Sequence, residues 1–332
     1  MKVLIIGGGG MIGQKLAQSL IRSAKIGNLN ITSLTLADAI TPADIAERSS
    51  FEIKKEVADI TNPVAASSLV VDKPDLIFHL AAIVSGEAEA NFEKGYAVNV
   101  EGVRNVLEGI RATGNGYKPK LVFTSSVAVY GGPYPDVIDD DFHLQPQTSY
   151  GAQKAIAELL VNDYTRKGFV DGISIRLPTI CIRPGKPNKA ASGFFSNILR
   201  EPLVGIEAIL PAQKSSTNIF ASPRSAVGFL IHAASIDASS LGDNRALMMP
   251  GVWGTVQDEI DALRRVAGDE VVSLIKEQID PVIEKMLTNW NFPRFTSAKA
   301  ALLGFKSEST LDQIIQIHIE DELGGRITGL TK

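Results

Sequence analysis

A chain of 332 residues carries a formal net charge of −4 and a sequence pI near 5.7, which gives no basic footprint for nucleic acid. No apolar run approaches the ~20 residues that span a bilayer, so no membrane partner is expected. One cysteine, Cys181, excludes an internal disulfide and fits a reducing, cytoplasmic compartment, and His79, His143, His232 and His318 form no cluster with metal-ligand spacing.

The chain opens with a short apolar run, Val3 to Ile6, that meets Gly7-Gly8-Gly9-Gly10-Met11-Ile12-Gly13 and gives way to a helical pattern near 11–24. With a single Lys ahead of the glycines, this start reads as a strand and not as a signal peptide. Gly7, Gly10 and Gly13, three apart, let the backbone turn sharply, approach a pyrophosphate and pack the helix on the strand. The unpaired N–H groups and positive dipole end of that helix then face the phosphates. A second strand, 32–37, is followed by Asp38. An acidic residue there holds the adenosine ribose hydroxyls and repels a 2′-phosphate, which favours NAD over NADP. Capping of the loop toward Asp44 is the alternative. The interval from Gly13 exceeds the usual ~20 residues, and the polar stretch Ser23 to Asn30 accounts for it. A third strand, 53–58, closes on Asp59-Ile60, an adenine contact or simply a turn ahead of Asn62-Pro63.

Strands at about 2–6, 32–37, 53–58, 75–80, 120–125 and 172–180 alternate with helices near 11–24, 63–71, 92–113 and 149–167, which predicts an α/β fold with a doubly wound parallel sheet. Beyond 183 the alternation stops at Pro184, Gly185 and Pro187. The expected division is a dinucleotide-binding domain over 1–182 and a smaller α/β substrate lobe over 183–332. That lobe is expected to be integral with the first domain, to close over the carboxyl ends of the strands, and to return some segments to the sheet.

The fifth strand ends in hydroxyls, Thr124-Ser125-Ser126, at the carboxyl edge where such sheets bind ligands. Ser126 there either bonds a substrate hydroxyl or satisfies its own backbone. Tyr150 and Lys154 follow on a predicted helix, four residues apart and therefore on one face. A tyrosine accepts protons near neutral pH only if its pKa falls from ~10, at a cost of roughly 4 kcal/mol. A neighbouring ammonium and a cationic cofactor ring supply that stabilisation. Taken alone the pattern is weak, since a Tyr and a Lys at helical spacing are usually just neighbours on a partly exposed face.

Gly7, Gly10 and Gly13 together with Asp38, Asp59-Ile60, His79-Leu80-Ala81-Ala82, Asn99, Ser125-Ser126 and Tyr150 to Lys154 resemble the extended short-chain dehydrogenase/reductase family, over roughly residues 1 to 180. The resemblance implies NAD as cofactor and a Rossmann fold. It implies that Tyr150 is the acid/base, that Lys154 lowers its pKa and holds the nicotinamide ribose, and that Ser126 orients substrate. By the same resemblance Met11, Ile12, Ala81, Ala82, Asn99, Ser125, Leu177 and Pro178 border the cofactor, with Asn99 structural before it is chemical. A homodimer through the helices near 92–113 and 149–167 is also implied.

The likeness to the family's sugar-nucleotide epimerases and dehydratases is incomplete. Where those commonly carry Arg-Tyr-Phe-Asn, this chain has Arg176-Leu177-Pro178-Thr179, and a later diphosphate-binding segment is replaced by Asn218 to Arg224. The segments Arg176 to Ser192, Val84 to Glu87, Ser222 to Val227 and Ile317 to Leu323 resemble instead the D-erythronate dehydrogenase branch, which oxidises the C2 hydroxyl of a four-carbon sugar acid with NAD. A carboxylate substrate favours a guanidinium or ammonium partner. Arg183 is the first candidate and Lys186 the second, with Ser85, Ser126, Tyr150 and Thr179 completing the expected substrate residues. The alternatives are a nucleoside-diphosphate-sugar 4-epimerase or dehydratase with tightly held NAD, and a non-catalytic NAD-sensing protein.

Overall fold

Val3 to Ile6, all buried, lie in the middle of a seven-stranded sheet. The computed structural model describes residues 1–185, 192–288 and 291–328. The sheet strands are β1 (Lys2–Ile6), β2 (Ser33–Asp38), β3 (Glu52–Val57), β4 (Leu76–His79), β5 (Lys120–Ser126), β6 (Asp171–Leu177) and β7 (Ala246–Met248). Their order is β3-β2-β1-β4-β5-β6-β7, and every pairing is parallel. This is the doubly wound Rossmann order 3-2-1-4-5-6 with one further strand. Central strands covered on both faces read as unbroken apolar runs, as in Leu76-Ile77-Phe78, whereas the edge strand β3 carries Lys54 and Lys55, charges that discourage pairing with another chain.

The helices form where apolar spacing and caps agree. In α1 (Met11–Ser23) Leu16, Ala17, Leu20 and Ile21 recur at helical spacing and are buried. The short α2 (Pro63–Ser68) starts with proline at its first position, and the Asn62 side chain accepts from the N–H groups of Val64 and Ala65. The longer α3 (Val103–Thr113) and α4 (Ser149–Arg166) bury Val106, Leu107 and Ile110, and Ala157 and Val161, in one cluster with Leu4, Ile77, Leu121 and Phe123 of the sheet. Each such aliphatic side chain contributes on the order of 1.5–3 kcal/mol by leaving water. Thr148 caps α4 by accepting from the N–H of Gly151.

Several expected boundaries shift for physical reasons. The strand expected over 172–180 ends at Leu177, because Pro178 has no N–H to donate, and Thr179–Ile180 pairs instead with Thr217–Ala221. The helix expected over 92–113 is a composite: Phe92–Tyr96, a π turn over Ala97–Gly102, and then α3. The polar stretch after Ser23 is a small antiparallel hairpin, Lys25–Ile26 with Leu29–Asn30, turned through Gly27 at φ +55.

Two compact units result. The first comprises Met1–Val129, Thr148–Leu177 and Val227–Met248, so the chain returns to the sheet to add β7 beside β6. The second comprises Tyr130–Gln147, Pro178–Ala226 and the chain from Met249 onward. The first unit therefore leaves off at Leu177, five residues before 182, and is discontinuous, with Val227–Met248 returning to it. In the second unit Thr217–Ala221 also pairs antiparallel with Val252–Thr255. Thr255 and Asp258 form a capping box that starts the helix Val256–Ala267. Within that unit the Cys181 thiol is buried against the Phe195 carbonyl and Glu259, and burial raises both the thiol and the Glu259 carboxyl well above their ordinary pKa values. Cys181 is thus an inert core thiol. No helix among the described residues is long and apolar enough to cross a membrane.

Candidate active site

The turn after β1 is built for close backbone approach. Gly7 sits at φ +91, and a Cβ on it would lie 2.5 Å from the Ala81 nitrogen; one on Gly13 would lie 2.3 Å from the Gly7 carbonyl oxygen. Both contacts are far inside van der Waals distance, so only glycine fits at either position. Gly10 begins α1 without a side-chain cap, no acidic residue occupies the first turn, and Met11 and Ile12 are half-buried there. A concave backbone with uncapped N–H groups at a helix N-terminus is the chemistry a pyrophosphate requires.

Asp38 ends β2 and closes on this turn. Its carboxylate accepts from the Gly9 N–H at 2.9 Å and from the Ala39 N–H at 2.7 Å, which leaves about half of its acceptor capacity for ribose hydroxyls. Asp59 is exposed and accepts from the N–H and the hydroxyl of Thr61, which makes it a turn residue in this structure. Ile60 is buried in the core against Gly102.

Beyond β4 the chain runs through Ala81 and Ala82, both half-buried, to Ser85, which opens a short helix at 85–90 and is 9% exposed. Asn99, on the π turn and buried, ties this segment down. Its Oδ1 accepts from the Ile83 N–H at 2.8 Å, and its Nδ2 donates to the Ile83 carbonyl at 3.0 Å and to Gln153 Oε1 at 2.7 Å. Asn99 therefore joins the segment after β4 to α4 through these bonds.

Lys154 is the dominant electrostatic feature. It is fully buried, and its Nζ donates to the Thr124 carbonyl at 2.8 Å. It lies 4.7 Å from the centroid of the Phe123 ring and 5.8 Å from that of Tyr150. Burial pulls its pKa down from 10.5 to about 7, against the opposing pull of Glu158. His79 is buried edge-on to Phe123, and its pKa falls to about 3, first through burial and then through the Lys154 charge, so the imidazole is neutral. Ser125 is buried, with no hydrogen-bond partner for its hydroxyl among the described residues. Ser126 is half-buried, and its Oγ accepts from the Ala128 N–H at 3.2 Å. Tyr150 stands in the first turn of α4, and Leu177 lies beside Ser126 in strand register. The first unit thus carries Tyr150, Lys154 and Ser126 on adjoining elements, with the glycine turn on the same sheet.

The remaining expected residues belong to the second unit. Pro178 is buried, and the Thr179 hydroxyl donates to Asn218 Oδ1 at 3.0 Å. The Arg183 guanidinium is engaged within its own segment, donating from Nε to the Ile180 carbonyl at 2.9 Å and from Nη2 to the Ser192 hydroxyl at 3.0 Å. Lys186 lies outside the described residues. Gln153 carried no role in the sequence reading. Its signal was available: an amide at a core position, between two members of a suspected site, is costly unless it is bonded. Among the described residues, no group of three or more His, Cys, Asp or Glu side chains is arranged to hold a metal ion.

A Rossmann sheet whose glycine turn leads to an uncapped helix defines a dinucleotide-dependent enzyme. The chain belongs to the NAD dependent epimerase/dehydratase family, which matches residues 3–212, and NAD is its cofactor. It is 42% identical over 327 residues to a D-erythronate dehydrogenase from Cupriavidus necator, covering 97% of this chain and 98% of that protein. A second D-erythronate dehydrogenase, from Haemophilus influenzae, is 41% identical over 323 residues, 97% of this chain and all of that protein. Among solved structures, a nucleoside-diphosphate-sugar epimerase from Agrobacterium tumefaciens is 53% identical with a TM-score of 0.94, covering 98% of this chain and 96% of that one.

Proposed function

We propose that this enzyme oxidises the C2 hydroxyl of a small sugar acid, of the D-erythronate type, with NAD. The observation that carries the reading is the end-to-end similarity to two proteins named D-erythronate dehydrogenase. Tyr150 takes the hydroxyl proton as the carbon is oxidised, and Ser126 holds the same oxygen in place. Lys154, held by the Thr124 carbonyl, stabilises the tyrosine phenolate when it is charged. Gly7 to Gly13 and Asp38 would hold NAD, which when bound would supply the hydride acceptor. The alcohol thus loses a proton and a hydride, and the products are a 2-keto acid and NADH. Kinetics on C4 to C6 aldonates, followed by NADH absorbance, and on UDP-hexoses, followed by chromatographic separation of the epimers, test this assignment. A C4 aldonate is expected to give the highest kcat/KM, and turnover of UDP-hexoses alone would overturn the reading.

The Agrobacterium structure favours a second reading, a nucleoside-diphosphate-sugar epimerase. The same three side chains would serve it, with no net NADH and with cofactor retained through purification. We favour the dehydrogenase because the replaced Asn218 to Arg224 segment lacks the diphosphate-binding pattern.

Asp38→Ala is expected to lower the preference for NAD over NADP by about tenfold, the equivalent of ~1.4 kcal/mol, because a carboxylate facing a 2′-phosphate is lost. The ratio of kcat/KM for the two cofactors reads this out, and an unchanged ratio contradicts the ribose contact. A homodimer through Phe92–Thr113 and α4 also belongs to this reading. Phe92, 59% exposed and packed at a tilt against Tyr96, and Leu159, 64% exposed, supply apolar area on those elements. Sedimentation at the mass of a single chain would remove that part of the proposal.

A further inference from the structure

We propose that Gln153 is a positioning residue that holds the segment after β4 in fixed register with the helix carrying Tyr150 and Lys154. The functional weight of that register rests on the reading above, in which Ala81, Ala82 and Ser85 border cofactor and substrate. Gln153 stands between Tyr150 and Lys154 in sequence, yet it points away from solvent entirely, at 0% exposure. Its Oε1 accepts from Asn99 Nδ2 at 2.7 Å. Asn99 in turn meets both backbone groups of Ile83, accepting at 2.8 Å and donating at 3.0 Å, as a neighbouring strand would.

The chemistry of the amide explains why Gln153 is needed. An asparagine side chain can rotate to exchange its oxygen and its NH₂ group. Ile83 alone would hold Asn99 through one N–H and one C=O. The Gln153 oxygen uses the second Nδ2 hydrogen and penalises the flipped orientation, in which two oxygens would face each other. Gly95 makes room for this arrangement: a Cβ there would lie 2.5 Å from Gln153 Nε2. That Nε2 is buried with no hydrogen-bond partner among the described residues. Buried donors are normally bonded.

Gln153→Leu removes the acceptor, whereas Gln153→Glu retains one. In Gln153→Leu, exchange of the Ile83 amide hydrogen is expected to accelerate at least tenfold, NADH affinity to weaken severalfold, and kcat/KM to fall about tenfold to a hundredfold. In Gln153→Glu the Ile83 exchange rate stays within about threefold of wild type. Should Gln153→Leu fail to fold, Gly95→Ala, whose added carbon displaces the same amide, gives the same readout. Wild-type Ile83 exchange and NADH affinity in Gln153→Leu, with only a lower melting temperature, would overturn the proposal. Both readouts are independent of substrate, so failure of the sugar-acid assignment leaves them standing.

Discussion

Tyr150→Phe is expected to cut kcat by ~10²–10⁴ while leaving NADH affinity within a few fold of wild type. The substitution removes one hydroxyl and keeps the ring, whose centroid lies 5.8 Å from the Lys154 ammonium. Tyr150 occupies the first turn of α4 and is half-buried. The glycine turn and Asp38, which support the proposed cofactor site, are on other elements of the sheet. A proton acceptor lost from a positioned site therefore shows in kcat and not in cofactor binding. Turnover within tenfold of wild type would remove Tyr150 from the mechanism. Fluorescence titration with NADH separates the two effects.

Lys154→Met is expected to make the ligand-free enzyme more stable near pH 6, with an advantage that shrinks by a few kcal/mol as the pH rises toward 10. Lys154 is buried, its Nζ resting on the Thr124 carbonyl, with no acidic side chain bonded to it among the described residues. Its pKa is about 7 in the fold against 10.5 outside it. Between those values the unfolded chain binds a proton that the folded chain does not, so unfolding becomes less favourable as pH rises. Methionine fills similar volume and does not titrate, so the difference between the two proteins isolates this lysine. Urea unfolding across pH 6 to about 10 measures it. A pH-independent difference would mean that the ammonium carries no burial cost. The same variant should lose kcat, since Tyr150 then lacks its cationic neighbour.

The turn Gly7 to Gly13 and the order of alternating strands were legible because each depends on local sequence: glycines where a Cβ cannot fit, and apolar runs of strand length. The return of β7 to the sheet was not legible at its position, since Ala246-Leu247-Met248 is three residues long and gains its meaning only beside Ser174 to Arg176. Pro178 could have ended the predicted strand earlier, because a proline inside a central ladder argues against continuation. At the site, residue types gave Ser126, Tyr150 and Lys154 as candidates, but environment did not follow from them. Nothing in the spacing reveals that Lys154 is buried to the point of titrating near neutrality. Nor does it reveal that Arg183, the expected carboxylate partner, donates to Ile180 and Ser192. The Asn99–Gln153 contact spans 54 positions and belongs to tertiary packing alone.

D-erythronate carrying deuterium at C2 tests the central claim most directly. Incubated with the enzyme and NAD, it is predicted to yield one equivalent of reduced cofactor bearing the deuterium, together with a 2-keto acid. Reduced cofactor without deuterium would contradict oxidation at C2. The absence of reduced cofactor, with epimerisation of a UDP-hexose labelled with deuterium at C4 that keeps its label in a parallel reaction, would contradict the dehydrogenase reading itself.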